Sequence, residues 1–214
     1  MYKRQEFTVT EEKETQEIKM IDKVVEISKV NIAGEGLEGA TLVVTNAKTK
    51  NIVDKWVSTK EPHKVNGLVE GETYILHEEI AIDGYVKATD IEFTVTNEKE
   101  TQRIEMVDKI VEIVKTDLIT GEKLEGAELE IIDKETGKTI EKWISGKEPH
   151  IVTGLEENKT YILKEITAPY GYELTEDIEF TVTNEKETQR IEMKDMPILK
   201  DIKVVKVDSQ TKEI

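Results

Sequence analysis

Seventeen residues, 90–106, recur without a single change at 177–193, 87 positions further along the chain. A looser copy spans 6–20, with Phe7 lying 86 positions before Phe93. The surrounding landmarks keep step. Leu37-Glu38-Gly39-Ala40 matches Leu124-Glu125-Gly126-Ala127, and Lys60-Glu61-Pro62-His63 matches Lys147-Glu148-Pro149-His150. A period this long exceeds the roughly 20–50 residues of solenoid repeats. It calls instead for a tandem array of small domains, each closing its own core.

The phase of the repeat sets the expected boundaries. Each unit opens on Lys-x-Val-Glu-Ile and closes on Ile-x-Met-x-Asp, which gives complete units at 23–108 and 109–195. Residues 1–22 then read as the closing strands of a preceding unit, and 196–214 as the opening strand of a following one. The chain is thus expected to be an excerpt of a longer protein. Asp108 runs straight into the next opening strand, and so short a connection predicts a stiff, elongated rod. Pro197 makes the last junction different.

Within a unit the pattern is β throughout. Ala40, Leu42 and Val44 alternate with Thr41, Val43 and Thr45, and Ile91, Phe93 and Val95 alternate with Glu92, Thr94 and Thr96. Turn-forming runs such as Asp133-Lys134-Glu135-Thr136-Gly137 separate these segments, and no long stretch carries a helical stripe. About seven short strands per unit predict an all-β protein of tandem antiparallel β-sandwiches.

Charge and composition narrow the function classes. Thirty basic against 46 acidic residues leave a net charge of −16. This excludes the basic footprint of a nucleic-acid binder and disfavours anionic lipid. No apolar run approaches the ~20 residues of a membrane span. There is no cysteine, so neither disulfides nor thiol chemistry is available.

One residue per unit conflicts with this pattern. In the opening strands, alternation places Lys29 with Val25 and Ile27, and Lys115 with Val111 and Ile113, on the face expected to be buried. A lone buried ammonium is strongly disfavoured. The same parity turns Glu78 inward with Tyr74 and Leu76, and Glu165 with Tyr161 and Leu163. It also aligns Asp108 with Ile104 and Met106, and Asp195 with Ile191 and Met193. Each unit therefore offers its lysine two carboxyl groups. If burial lowers the lysine pKa and raises that of the aspartate, a neutral amine faces a neutral carboxyl group, with a glutamate to move protons. Loss of water would leave a Lys–Asp amide. A buried ion network in which nothing reacts uses the same residues.

Tyr161-Ile162-Leu163-Lys164-Glu165-Ile166-Thr167-Ala168-Pro169-Tyr170-Gly171-Tyr172 resembles the E-box of Gram-positive pilins and of the B-type repeats of collagen adhesins, the SpaA-type or prealbumin-like domains. The opening Val-Glu-Ile-x-Lys, the Leu-Glu-Gly-Ala and the closing Ile-Glu-Met-x-Asp resemble this family too. The resemblance implies a prealbumin-like, Ig-like sandwich. It also implies autocatalytic isopeptide bonds between Lys29 and Asp108, assisted by Glu78, and between Lys115 and Asp195, assisted by Glu165. The first unit departs from the E-box at Ala81-Ile82-Asp83-Gly84-Tyr85, which lacks the proline, and it places Glu79 beside Glu78. Glu78 is preferred, because it lies six residues before Gly84 as Glu165 does before Gly171. Asp22 and Lys206 are expected to be inert half-sites.

Other candidates are weaker. His63 and His150 recur singly and predict a packing or turn role, with no metal site and no cofactor. Trp56 and Trp143 read as core or cleft-lining residues. The resulting expectation is a structural stalk or spacer of a bacterial surface adhesin or pilin. Its partners are the adjacent repeats and, through other parts of the parent, a host matrix protein. It lies outside the cell and is attached to the wall through regions beyond this chain. Direct binding of a host or matrix ligand by the repeats is the alternative. A turnover enzyme is not expected, since the proposed reaction occurs once per domain.

Overall fold

The computed structural model describes residues 24–98, 101–200, 204–206 and 209–210. Seven strands build the first unit: β1 (Val25–Asn31), β2 (Thr41–Asn46), β3 (Ile52–Val57), β4 (His63–Val65), β5 (Thr73–Ile80), β6 (Ile91–Thr94) and β7 (Gln102–Asp108). The second repeats them as β8 (Val111–Asp117), β9 (Glu128–Asp133), β10 (Thr139–Ile144), β11 (His150–Ile151), β12 (Thr160–Thr167), β13 (Ile178–Thr181) and β14 (Gln189–Asp195). Among the described residues there is no helix long and apolar enough to cross a membrane.

Each unit is a two-layer sandwich. A four-stranded sheet, β3-β2-β5-β6 or β10-β9-β12-β13, faces a three-stranded sheet, β4-β1-β7 or β11-β8-β14. The named strands pair antiparallel except that the first and last strands of each unit, β1 with β7 and β8 with β14, run parallel. The alternation read from the sequence supplies the cores. Val25, Ile27, Leu42, Val44, Leu76, Phe93 and Met106 fill one, and Val111, Ile113, Leu129, Ile131, Leu163, Phe180 and Met193 the other.

The repeated Leu-Glu-Gly-Ala has a structural task. Gly39 (φ 108°) and Gly126 (φ 90°) adopt the left-handed region that favours glycine. The turn lets Ala40 N–H donate to Ser58 Oγ and Ala127 N–H to Ser145 Oγ, each at 3.0 Å. Both serines are buried and fasten the start of the core strand to the neighbouring edge strand.

Residues 1–22, Asp22 included, lie outside the described residues. Of the opening strand expected at 202–208, only Val204, Val205 and Lys206 are described. They are exposed and belong to no strand.

Candidate functional site: a buried lysine between two carboxyl groups

The parallel register places the lysine and aspartate. Lys29 sits opposite Met106 and Asn31 opposite Asp108, so Asp108 lies two positions along the neighbouring strand from Lys29. The same offset recurs with Lys115 opposite Met193 and Asp117 opposite Asp195. Two residues along a strand is one step on the same face, and the long lysine side chain covers it. Glu78 and Glu165 come from the facing sheet, where Glu78 pairs with Leu42 and Glu165 with Leu129 beside β-bulges.

All six side chains are withdrawn from solvent; none of these residues exceeds 3% exposure. Lys29 Nζ donates to Asp108 Oδ1 and lies 2.8 Å from Glu78 Oε1. Lys115 Nζ donates to Asp195 Oδ1 and lies 2.9 Å from Glu165 Oε1. Glu78, not Glu79, meets the lysine: Glu79 is exposed and pairs with Lys55 at 2.5 Å. The glutamates are held from behind by the backbone. Ala88 N–H donates to Glu78 Oε2 at 2.8 Å and Thr175 N–H to Glu165 Oε2 at 2.9 Å. Side-chain parity did not reveal these anchors, although their common ten-residue offset was in the sequence.

Four buried oxygens, Asp108 Oδ2, Asp195 Oδ2, Glu78 Oε1 and Glu165 Oε1, have no hydrogen-bond partner. The two glutamate oxygens lie close to the ammonium, but not in hydrogen-bond alignment. Loss of hydration pushes the Asp108 carboxyl up to about 7, against the pull of Lys29 and with help from Glu78 and Glu157. Burial likewise pushes Asp195 up to about 6, with Lys115 opposing and Glu165 adding. An acid in that range is protonated for part of the time near neutral pH, and a protonated carboxyl group is the electrophile an amine can attack.

The chain matches the SpaA prealbumin-like fold domain twice, over residues 23–110 and 109–197. It belongs to that family. No curated protein matches it. Solved structures similar to it include the Bacillus anthracis TIE protein, at 26% identity and TM-score 0.34, covering 82% of this chain and 34% of that one. The shaft pilin SpaA of Lactobacillus rhamnosus GG is 14% identical at TM-score 0.37, covering 83% of this chain and 98% of the other. A Streptococcal ancillary pilin is 22% identical at TM-score 0.40, covering 82% of this chain and 62% of its own. This chain thus spans about a third of the TIE protein.

The remaining candidates take other positions. His63 stacks on Trp56 with ring centroids 4.2 Å apart and meets Asp54 at 2.9 Å. His150 stacks on Trp143 at 4.3 Å and meets Glu141 at 2.8 Å. Both tryptophans are half-buried against the core rim. Among the described residues no group of three or more His, Asp or Glu is placed to hold a metal ion. Lys206 is exposed, whereas Lys29 and Lys115 are buried.

Proposed function

We propose that the chain is a run of stalk units from an extracellular pilin or adhesin of a Gram-positive surface, each unit closed by its own Lys–Asp isopeptide bond. The observation that carries the reading is a dry triad, present twice, in which one amine touches the carboxyl group of the last strand and a backbone-anchored glutamate.

The chemistry follows from the placement. Moving a proton from Lys29 to Asp108 removes both charges, which a low-dielectric site favours. The neutral Nζ attacks Asp108 Cγ, and Glu78 carries a proton from Nζ to the departing hydroxyl. The C–O bond breaks, water leaves and the amide remains. The new amide has one N–H, and the unpartnered Glu78 Oε1 is its natural acceptor. Lys115, Asp195 and Glu165 repeat the scheme. The reaction turns over once and needs no cofactor.

Digestion and peptide mapping test it. The expected product is a branched peptide joining the Lys29 and Asp108 segments, and a second joining those of Lys115 and Asp195. Glu78→Ala should abolish only the first and Glu165→Ala only the second. Recovery of all four segments as linear peptides from the unsubstituted chain would leave an ion network without a bond.

A further inference from the structure

The segment that anchors Glu78 is held from its other side by the second unit. Ala88, whose N–H aims Glu78, lies between residues that all contact that unit. Val86 N–H donates to Lys109 O, and Lys87 N–H to Leu155 O, both at 2.9 Å, while Glu157 N–H donates to Lys87 O at 3.1 Å. Thr89 donates through both N–H and Oγ1 to Glu157 Oε2, each at 3.0 Å. The Val86 side chain, 1% exposed, is part of the second unit's apolar core.

Glu157 is itself fixed. Its Oε1 lies 3.5 Å from Nζ of Lys109, a buried lysine that also donates to the carbonyls of Thr183 and Glu185. The corresponding segment of the second unit differs. Glu173 N–H donates to Met196 O at 2.9 Å, repeating the Val86 contact, but Glu173, Leu174 and Glu176 are exposed.

We propose that Glu157 of the second unit is a positioning residue for the first unit's Lys29–Asp108 bond, clamping Thr89 so that the Ala88 N–H holds Glu78 against the amine. The inference rests on the cross-linking proposed above. It makes bond closure in the first unit depend on the docking of the second, so the first unit closes fastest once the second has folded onto it. Glu157 also adds negative charge near Asp108, and the test must separate this effect from the clamp.

The full chain is made by cell-free translation, timed samples are quenched in acidic denaturant, and both branched peptides are quantified by mass spectrometry. Glu157→Ala should slow the first bond by roughly ten- to a hundredfold, the usual cost of a mis-set reacting group, and leave the second unchanged. Glu157→Gln keeps an acceptor for Thr89 without the charge and should restore most of the rate. Thr89→Val removes one donor, leaves the partners of Lys109 in place and should slow the first bond by less.

An unchanged first-bond rate in Glu157→Ala, or equal slowing of both bonds, overturns the proposal. So does a Gln variant that behaves like Ala, which would assign the effect to charge. If Glu157→Ala fails to fold, Thr89→Val decides, and an unchanged rate there counts against the clamp. If neither bond forms in the unsubstituted chain, cross-linking itself fails, an outcome distinct from all of these.

Discussion

Lys29 and Lys115 each spend an ammonium group's hydration on a site whose neighbouring acids are short of hydrogen bonds. Left as an ion network, such a site is a weak source of stability and is often matched by apolar packing. Conversion to an amide, as proposed, would remove the charges and keep the connection. The Asp108 carboxyl gives a pH signature for a unit that cannot close. Its pKa is raised from 3.8 to about 7, so between those values the folded state holds a proton that the unfolded chain has released. Stability then falls as pH rises through that window. Removing Lys29, which pulls the pKa down, extends the loss to higher pH. Lys29→Met is therefore expected to melt its first unit at lower temperature at pH 7 than at pH 5, measured by calorimetry. A first-unit transition that rises with pH across this range would contradict the burial of Asp108. The parity of these residues was legible in the sequence because alternation assigns each side chain a face. The Ala88 and Thr175 anchors were not, since backbone donors carry no residue-type signal.

At the level of strands, the decisive feature is the parallel pairing of β1 with β7 and of β8 with β14. Periodicity told which residues face inward, but it is blind to which strands are neighbours and which way they run. Both facts are needed to put Lys29 one step from Asp108. The repeat also showed Trp56-Val57-Ser58 and Trp143-Ile144-Ser145 in step without disclosing their task. Each serine hydroxyl accepts a buried backbone N–H. Ser58→Ala is expected to cost about 1–3 kcal/mol by orphaning the Ala40 donor, read by denaturant unfolding of a Glu78→Ala chain whose first unit is open. A change below about 0.5 kcal/mol, the range of an ordinary surface substitution, would show that the hydroxyl is dispensable. The half-buried Trp–His stacks show how far composition reaches. The single Lys-Glu-Pro-His histidine of each unit spoke for packing, while its aromatic partner was set by the meeting of β3 with β4 and of β10 with β11.

Across the whole chain, the cross-links would span most of each unit. Lys29 and Asp108 are 79 residues apart, and Lys115 and Asp195 are 80. Closing a loop of that length limits the unfolded chain by about 4–5 kcal/mol in the entropy model for cross-links. That is large beside a domain stability of about 5–15 kcal/mol. A unit opened by Glu78→Ala or Glu165→Ala should therefore melt about 15–40 °C below a closed one, by calorimetry; coincident melting would remove the bond from the stability account. Tension applied to the ends enters β1 near Val25 and leaves β7 at Asp108, so a bond between the two strands shields the residues in between. Under single-molecule pulling the closed units should show none of the extension that Glu78→Ala and Glu165→Ala release. The tandem organisation was legible in the sequence because the repeat is nearly exact, whereas the joint was not. Val86 gives way to Glu173 87 positions along, and Glu157 repeats Glu70 without the sequence showing which residue either glutamate meets. The most direct test is the intact mass of the denatured, unsubstituted chain. The expected value is the sequence mass less two waters, and the full sequence mass would contradict the account.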